Sequence, residues 1–391
     1  MERILFVAND YPFPPHDGGS VDTWNLILSL KELGFALDLI ATVRSRPRQE
    51  FIDAMQGIVE RLCIIERDRS ISSALSLAPF QIRSRKALRN IGLTERYEAV
   101  LLKTEFVAPI LENVHLSAKV RVLRAENDEA RYFREMSRAA DGWKARCFYR
   151  AEALKFERFS PRIRSKCDLL WFVSDLERTF HIRRHPEDSA KAIFLPCGPG
   201  AKGMCPYSGG GTEALFIGSL TIPFNVEGLK WYIENIHPGL SDIPGYSLTV
   251  AGRTGGSLLP ALEGMVQRHS NISFFPDPQE LSGLYKRAAV FVNPMLRGAG
   301  IKVKTIHALH AGVPVVSTSI GMEGTGLIDR EHLLVADSPD DFARGVATLL
   351  RDRPLAERLV YSAQSFLAER YDHERNIRQS LSSVLSVPSV C

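Results

Sequence analysis

The sequence has no run of about 18 apolar residues, so nothing in it is built to cross a bilayer as a helix. It has no CxxC pair. Its six cysteines (Cys63, Cys147, Cys167, Cys197, Cys205 and Cys391) are scattered, which argues against a zinc ribbon or disulfide framework and for a reducing cytosol. No GxGxxG follows the first strand-like stretch, which leaves a nicotinamide-dependent oxidoreductase a distant reading. No Asp-x-Asp stands at a strand end and no His/Cys cluster has ligand spacing, so no metal site is expected. The opening "MERILFVAND" is charged and then at once strand-like, unlike a signal peptide. Low complexity and short repeats are absent too.

Net charge is small, +4 over 391 residues. Residues 1–190 hold 31 Lys/Arg against 27 Asp/Glu, and the remainder holds 18 of each. That excess is too slight for a nucleic-acid binder, although it favours an anionic partner or surface.

What is present is a soluble globular composition, 45% hydrophobic and 24% charged, with length enough for two domains. Apolar stretches such as "RILFVAN", "ALDLIATV", "YEAVLLK", "VRVLRAEN" and "LLWFVSD" alternate with helical or irregular segments. A helix is expected over Val21–Gly34. The Gly/Pro-rich region from Ala192 to Glu213 reads as a linker, after which strand–helix alternation restarts. The expectation is α/β: two doubly wound Rossmann-like domains with the ligand in a cleft between them. The boundaries are 1–190 for an acceptor-side domain, 191–370 for a donor domain and 371–391 for a terminal helix packing back on the first domain.

Two glycine-marked helix starts are candidate anion sites. In "NDYPFPPHDGGSVDTW", Gly18 and Gly19 let backbone N–H groups approach a ligand; a plain surface turn is the competing reading. In "GAGIKVKTIHALHAGVPVVST", Gly298 and Gly300 precede a helix, and Lys302 and Lys304 add full charges, a combination suited to a diphosphate. His307 and His310 share a helix face but lack a third partner for a metal. Between Arg131 and Lys166 there are eleven Lys/Arg against four Asp/Glu, interleaved with Trp143, Phe148, Tyr149, Phe156 and Phe159. Such a segment suits an anionic membrane surface or a phosphorylated acceptor, or else two core-packed helices with a basic outer face.

The stretch "GAGIKVKTIHALHAGVPVVSTSIGMEG" resembles the donor signature of retaining, family 4 type glycosyltransferases with the GT-B fold, in the subgroup that reads like "GGTRLKILEAMAAGKPVVSTSIGAEG". "FIGSLTIPFNVEGLKWYIENI", "YSLTVAGR", "ISFFPDPQELSGLYKRAAVFVNPM" and "PFPPHDGG" resemble the same subgroup in order and spacing. The resemblance is strongest from Ala214 to Leu350 and weak from about Ser45 to Val120.

This resemblance implies transfer of a sugar from a nucleotide diphosphate sugar to an acceptor hydroxyl, with retention and without a metal or other cofactor. The leaving diphosphate would help deprotonate the acceptor, and the protein would stabilise its charge. Lys302 stands where the subgroup has the Arg of "TRLK" and is the first choice for that role; Lys304, on another helix face, is expected to matter less. Gly19 and Glu126 complete the candidate catalytic set, Glu126-Asn127 standing where relatives have His-Asn. Implied donor-binding residues are Gly18, Gly19, Gly218, Ser219, Asn225, Arg253, Phe275, Pro276, Arg297, Gly298, Ala299, Gly300, Ile301, Lys302, His307 and Glu323. The chain departs from the family's Glu-x7-Glu pair, reading Ala299 and His307 there. An epimerase of the same fold and a non-catalytic relative acting as a binding partner therefore stay open. The implied acceptor is a carbohydrate, a lipid-linked or a small-molecule alcohol, with no nucleic acid. The implied setting is polysaccharide or glycoside assembly in the cytoplasm, with peripheral attachment at the inner membrane face as a candidate.

Overall fold

The computed structural model describes residues 2–15, 18–70, 76–140, 142–197, 203–207, 209–254, 259–278, 280–298 and 300–385. The chain divides into two compact units. One comprises Met1–Cys197 with His373–Cys391, the other Gly198–Asp372.

In the first unit, strands β1 (Arg3–Ala8), β2 (Ala36–Val43), β3 (Arg61–Glu66), β4 (Arg96–Lys103), β5 (Ser117–Ala125), β6 (Leu169–Phe172) and β7 (Ala192–Phe194) form one sheet, ordered β3-β2-β1-β4-β5-β6-β7. Each neighbouring pair is parallel. A parallel sheet is covered on both faces, which is why β1 and β6 read as continuous apolar runs. Successive side chains alternate between faces: Ile4 and Phe6 enter one core cluster, Leu5 and Val7 the other.

The helices of this unit are α1 (Gly18–Glu32), α2 (Gln49–Gln56), α3 (Phe80–Arg83), α4 (Glu129–Ala139), α5 (Trp143–Arg164), α6 (Asp175–Arg184) and the late α14 (His373–Ser382). Helix α14 buries Ile377 and Leu381 in the same cluster as Leu26 and Leu30 of α1. The Trp171 indole N–H donates to Ser380 Oγ at 2.6 Å. Strand β7 corrects the linker expected from Ala192: three residues with one flank buried against β6 suffice for a strand, despite the prolines and glycines that follow.

The second unit repeats the order. Strands β8 (Glu213–Ile217), β9 (Ser247–Gly252), β10 (Ile272–Pro276), β11 (Val290–Asn293), β12 (Val315–Ser317) and β13 (Leu334–Val335) are arranged β10-β9-β8-β11-β12-β13, all parallel. Its helices are α7 (Pro223–Asn235), α8 (Leu259–Val266), α9 (Ser282–Arg287), α10 (Val303–His310), α11 (Ser319–Met322), α12 (Pro339–Arg351) and α13 (Arg353–Arg370). Both units thus have the doubly wound order that reverses beside the first strand. In such sheets a ligand crevice opens at the carboxyl ends of the two strands where the order reverses. In the second unit those strands are β8 and β11.

Candidate functional site

Three loops at the carboxyl edge of the second sheet are held together by glycines. The Gly218 N–H donates to the Ala251 carbonyl at 3.1 Å. Gly252 has φ +154°, and a Cβ there would stand 1.9 Å from the Gly218 carbonyl oxygen, so only glycine allows the approach. Gly228 of α7 does the same against the next loop, where a Cβ would meet the Pro294 oxygen at 2.6 Å. Beneath these loops, buried Asn293 at the end of β11 donates to Thr305 Oγ1 at 2.8 Å and to the Gly321 carbonyl at 2.7 Å. These bonds fix the start of α10 against β11 and α11.

The side chains above this frame converge at the reversal of strand order. Asn225, in the first turn of α7, donates from Nδ2 to the Ser219 carbonyl at 2.9 Å and accepts at Oδ1 from Lys304 Nζ at 3.1 Å. The Lys304 ammonium also lies 5.1 Å from the centre of the Phe216 ring. Burial, with the Lys302 charge adding to it, lowers Lys304 to about 7. Lys302 is the residue preceding the first turn of α10. It is buried and donates to the Gly300 carbonyl at 2.6 Å. The Lys302 side chain runs past Gly298, which has φ +142°. Lys302 thus precedes α10, which starts at Val303, while Lys304 stands in its first turn, and both lysines reach this edge. His307 faces inward with a buried Nε2 that has no hydrogen-bond partner among the described residues, and burial, then His310, lowers it to about 4. It is a neutral imidazole.

The other expected donor residues are less gathered. Ser219 Oγ bonds Thr221 Oγ1 at 2.8 Å. The Arg253 side chain is exposed while its carbonyl accepts from the Leu220 N–H at 2.7 Å. Phe275 and Pro276 close β10 in the open, and Arg297 faces Glu227 at 3.3 Å. Ile301 packs on the core, and Glu323 follows α11. Ala299 lies outside the described residues. Among the described residues no three His, Cys, Asp or Glu side chains gather as a metal site.

In the first unit, Gly18 and Gly19 do not form a loop: α1 begins at Gly18, three residues earlier than expected. Their amides remain among the orphan donors of a helix start, and the Gly19 carbonyl accepts from Thr23 Oγ1 at 2.8 Å. Glu126 follows β5 and is bonded by Lys103 Nζ, which also bonds Asp22. Arg124 grips Asp22 with two N–H groups, at 2.7 and 3.1 Å. Burial would raise Asp22, but Arg124 and Lys103 hold it well below the usual carboxylate range. Burial likewise raises Glu126 against the pull of Lys103. Asp22, Lys103 and Arg124 escaped the sequence reading. The available signal was a Lys and an Arg inside apolar strands, where a buried charge has to find a partner.

The basic aromatic segment resolves into α4 and α5. Phe156 stacks on Phe133 with centroids 5.3 Å apart, and Tyr149 and Phe159 pack on the core. Trp143 is 71% exposed, with Lys144 Nζ 5.8 Å from its ring centre.

Two doubly wound units with a glycine-framed cationic edge define the class of GT-B proteins, and comparison with known proteins agrees. Residues 211–352 match the family Glycosyl transferases group 1. An uncharacterized 44.6 kDa protein in the cps region of Klebsiella pneumoniae is 31% identical over 96% of this chain and 98% of its own. Sucrose-phosphate synthase from Thermosynechococcus elongatus superposes with TM-score 0.70 at 14% identity, covering 98% of both chains. A mutant of S. aureus TarM, solved with Fondaparinux, alpha-GlcNAc-glycerol and UDP, gives 0.69 at 10% identity over 99% of this chain and 100% of its own. The chain belongs to one family with the Klebsiella protein, and its second unit carries the Glycosyl transferases group 1 domain.

Proposed function

We propose that the protein transfers a sugar from a nucleotide diphosphate sugar to an acceptor hydroxyl, with retention and without a metal, in polysaccharide assembly. The observation that carries this reading is the meeting of Lys304 and Asn225 where the second sheet reverses its order. Among the described residues no acid offsets Lys304 in the forces that shift it, which are burial and Lys302. A diphosphate supplies the missing negative charge, and the helix start beside it adds partial positive charge. Lys302 and the amides near Gly300 then stabilise the departing phosphate as its charge develops. The orphaned His307 nitrogen suits a ribose hydroxyl. The relative in a cps region supports a polysaccharide product, and TarM, bound to UDP, supports a uridine nucleotide.

The test is purified protein with UDP-sugars and a glycan acceptor, with product anomers read by NMR. Retained configuration and activity in excess chelator are expected. Activity lost in chelator and restored by manganese overturns the metal-free part. His307 in place of a carboxylate keeps one rival, a non-catalytic nucleotide-sugar binder, which would show UDP-sugar binding with neither transfer nor donor hydrolysis. On the acceptor side, the exposed Trp143–Lys144 tip of the basic helices favours contact with an anionic membrane surface on the cytoplasmic side. Sedimentation with anionic vesicles that fades as salt rises is the expected result; no sedimentation even at low salt refutes the contact.

A further inference from the structure

The first unit contains a cavity of about 390 Å³ walled by α4, α5 and α6. Among its lining residues are Asp128, Arg134, Phe156, Glu177 and Phe180. Glu177 is only 9% exposed, and among the described residues neither carboxylate oxygen has a hydrogen-bond partner. The Asp128 amide, the backbone group that draws its pKa downward, falls short of hydrogen-bond geometry. A buried carboxyl left unsatisfied is costly, and such a group in a cavity calls for a ligand with donors.

The rest of the lining narrows that ligand. Arg134 already faces Glu157, Arg164 faces Glu105 at 2.8 Å, and His181 faces Asp188 at 2.7 Å. His185 faces Glu187 at 3.4 Å, so four of the six basic groups in the lining are matched by acids, and Arg131 and Arg184 complete it; a neutral or weakly acidic polyol suits this mixed lining better than a strong anion. Beside these groups stands a carboxyl without a hydrogen-bond donor among the described residues, next to aromatic rings. Phe156 and Phe172 are buried in the wall, while Phe180 is 46% exposed. A sugar ring offers both complements, hydroxyl donors on its edge and an apolar C–H face for a ring.

We propose that this cavity is a saccharide subsite, which holds one sugar ring of a glycan by hydroxyl hydrogen bonds to Glu177 and by packing on Phe180. The proposal rests on the transferase reading for its biological sense, since an enzyme that extends a glycan has to hold it. The test requires no donor chemistry. Saturation-transfer NMR is run on the full chain with millimolar glucose, galactose, glucuronic acid, N-acetylglucosamine and maltotriose, without nucleotide. At least one saccharide should receive saturation on its ring protons. Glu177→Leu should weaken that binding about five- to thirtyfold, and Phe180→Ala, at an exposed position, should weaken it without affecting folding. A thermal shift on adding UDP runs in parallel. It reports the second unit and should be the same in all three proteins, so a failed nucleotide site and a failed saccharide site are told apart. No transfer to any of the five saccharides overturns the proposal, as does transfer unchanged in both folded variants.

Discussion

At the carboxyl edge of the first sheet, two acids and two bases (Asp22, Glu126, Lys103 and Arg124) neutralise one another inside the protein. At the same edge of the second sheet, Lys304 meets an amide oxygen and an aromatic ring. The strand order is the same and the electrostatics are opposite. A closed network of charges is a structural device, since every member is already satisfied. A cation that burial discharges, beside a glycine-framed helix start, is only half of an interaction, and under the proposed function a diphosphate supplies the other half. Under the proposed function, the first edge contributes stability and the second binds the donor.

The largest effect expected is at the first edge. Asp22→Asn leaves Arg124 and Lys103 buried with one acid fewer, and breaking such a network costs about 3–5 kcal/mol. Denaturant unfolding should show it as a lowered midpoint. A loss under 1 kcal/mol would mean that the network is solvated and that the contrast between the edges is false. Lys304→Met should instead leave stability unchanged or raise it, because a desolvated lysine is removed.

Next comes the second edge. Lys302→Ala should raise the barrier by about 2–4 kcal/mol, a 30- to 1000-fold loss of turnover with a smaller loss of donor affinity. Lys304→Ala should chiefly weaken donor binding, about 10- to 100-fold. Steady-state kinetics separate the two, and near-native values for both variants would remove the diphosphate from this edge.

The sequence made the sheets legible because parallel strands buried on both faces read as apolar runs, and "GSLTIPFN" and "GAGIKVK" marked the switch-point loops of the second unit. The face of each lysine was not legible, since it depends on α10 starting at Val303 and not at Gly300. Nor was the Asp22 network, in which Asp22 and Arg124 are 102 residues apart and meet only through the sheet. Glu177 was hidden for another reason. Three residues after the Ser174 cap it reads as an ordinary capping residue, and only the fold shows its carboxyl buried without a hydrogen-bond partner among the described residues.

That carboxyl gives the first unit a pH signature of its own. Burial, opposed by the Asp128 amide, raises Glu177 from 4.5 to about 7. Between those values the folded chain holds a proton that the unfolded chain has released, so stability falls as pH rises through that window. The contribution is on the order of 3 kcal/mol. Glu177→Gln should flatten the slope between pH 5 and pH 7.5 and stabilise the protein at the upper end. An unchanged slope would show the carboxyl to be solvated.

The smallest effect is the most specific to the second edge. Lys304 sits at about 7 in the free protein because burial and Lys302 oppose its charge. A bound diphosphate reverses that balance and raises it, so binding near pH 8 has to draw a proton from solution, close to one per nucleotide. At pH 6 the lysine is already charged and uptake should vanish. Affinity for UDP should therefore fall, by up to about tenfold per pH unit, above pH 7. Calorimetry in buffers of different ionisation enthalpy measures the uptake directly. Lys304→Arg, which stays charged at every accessible pH, should bind UDP with no proton uptake and no such decline. Uptake at pH 8 that survives in Lys304→Arg would assign the proton to another group, and its absence from the native protein would place the diphosphate away from Lys304.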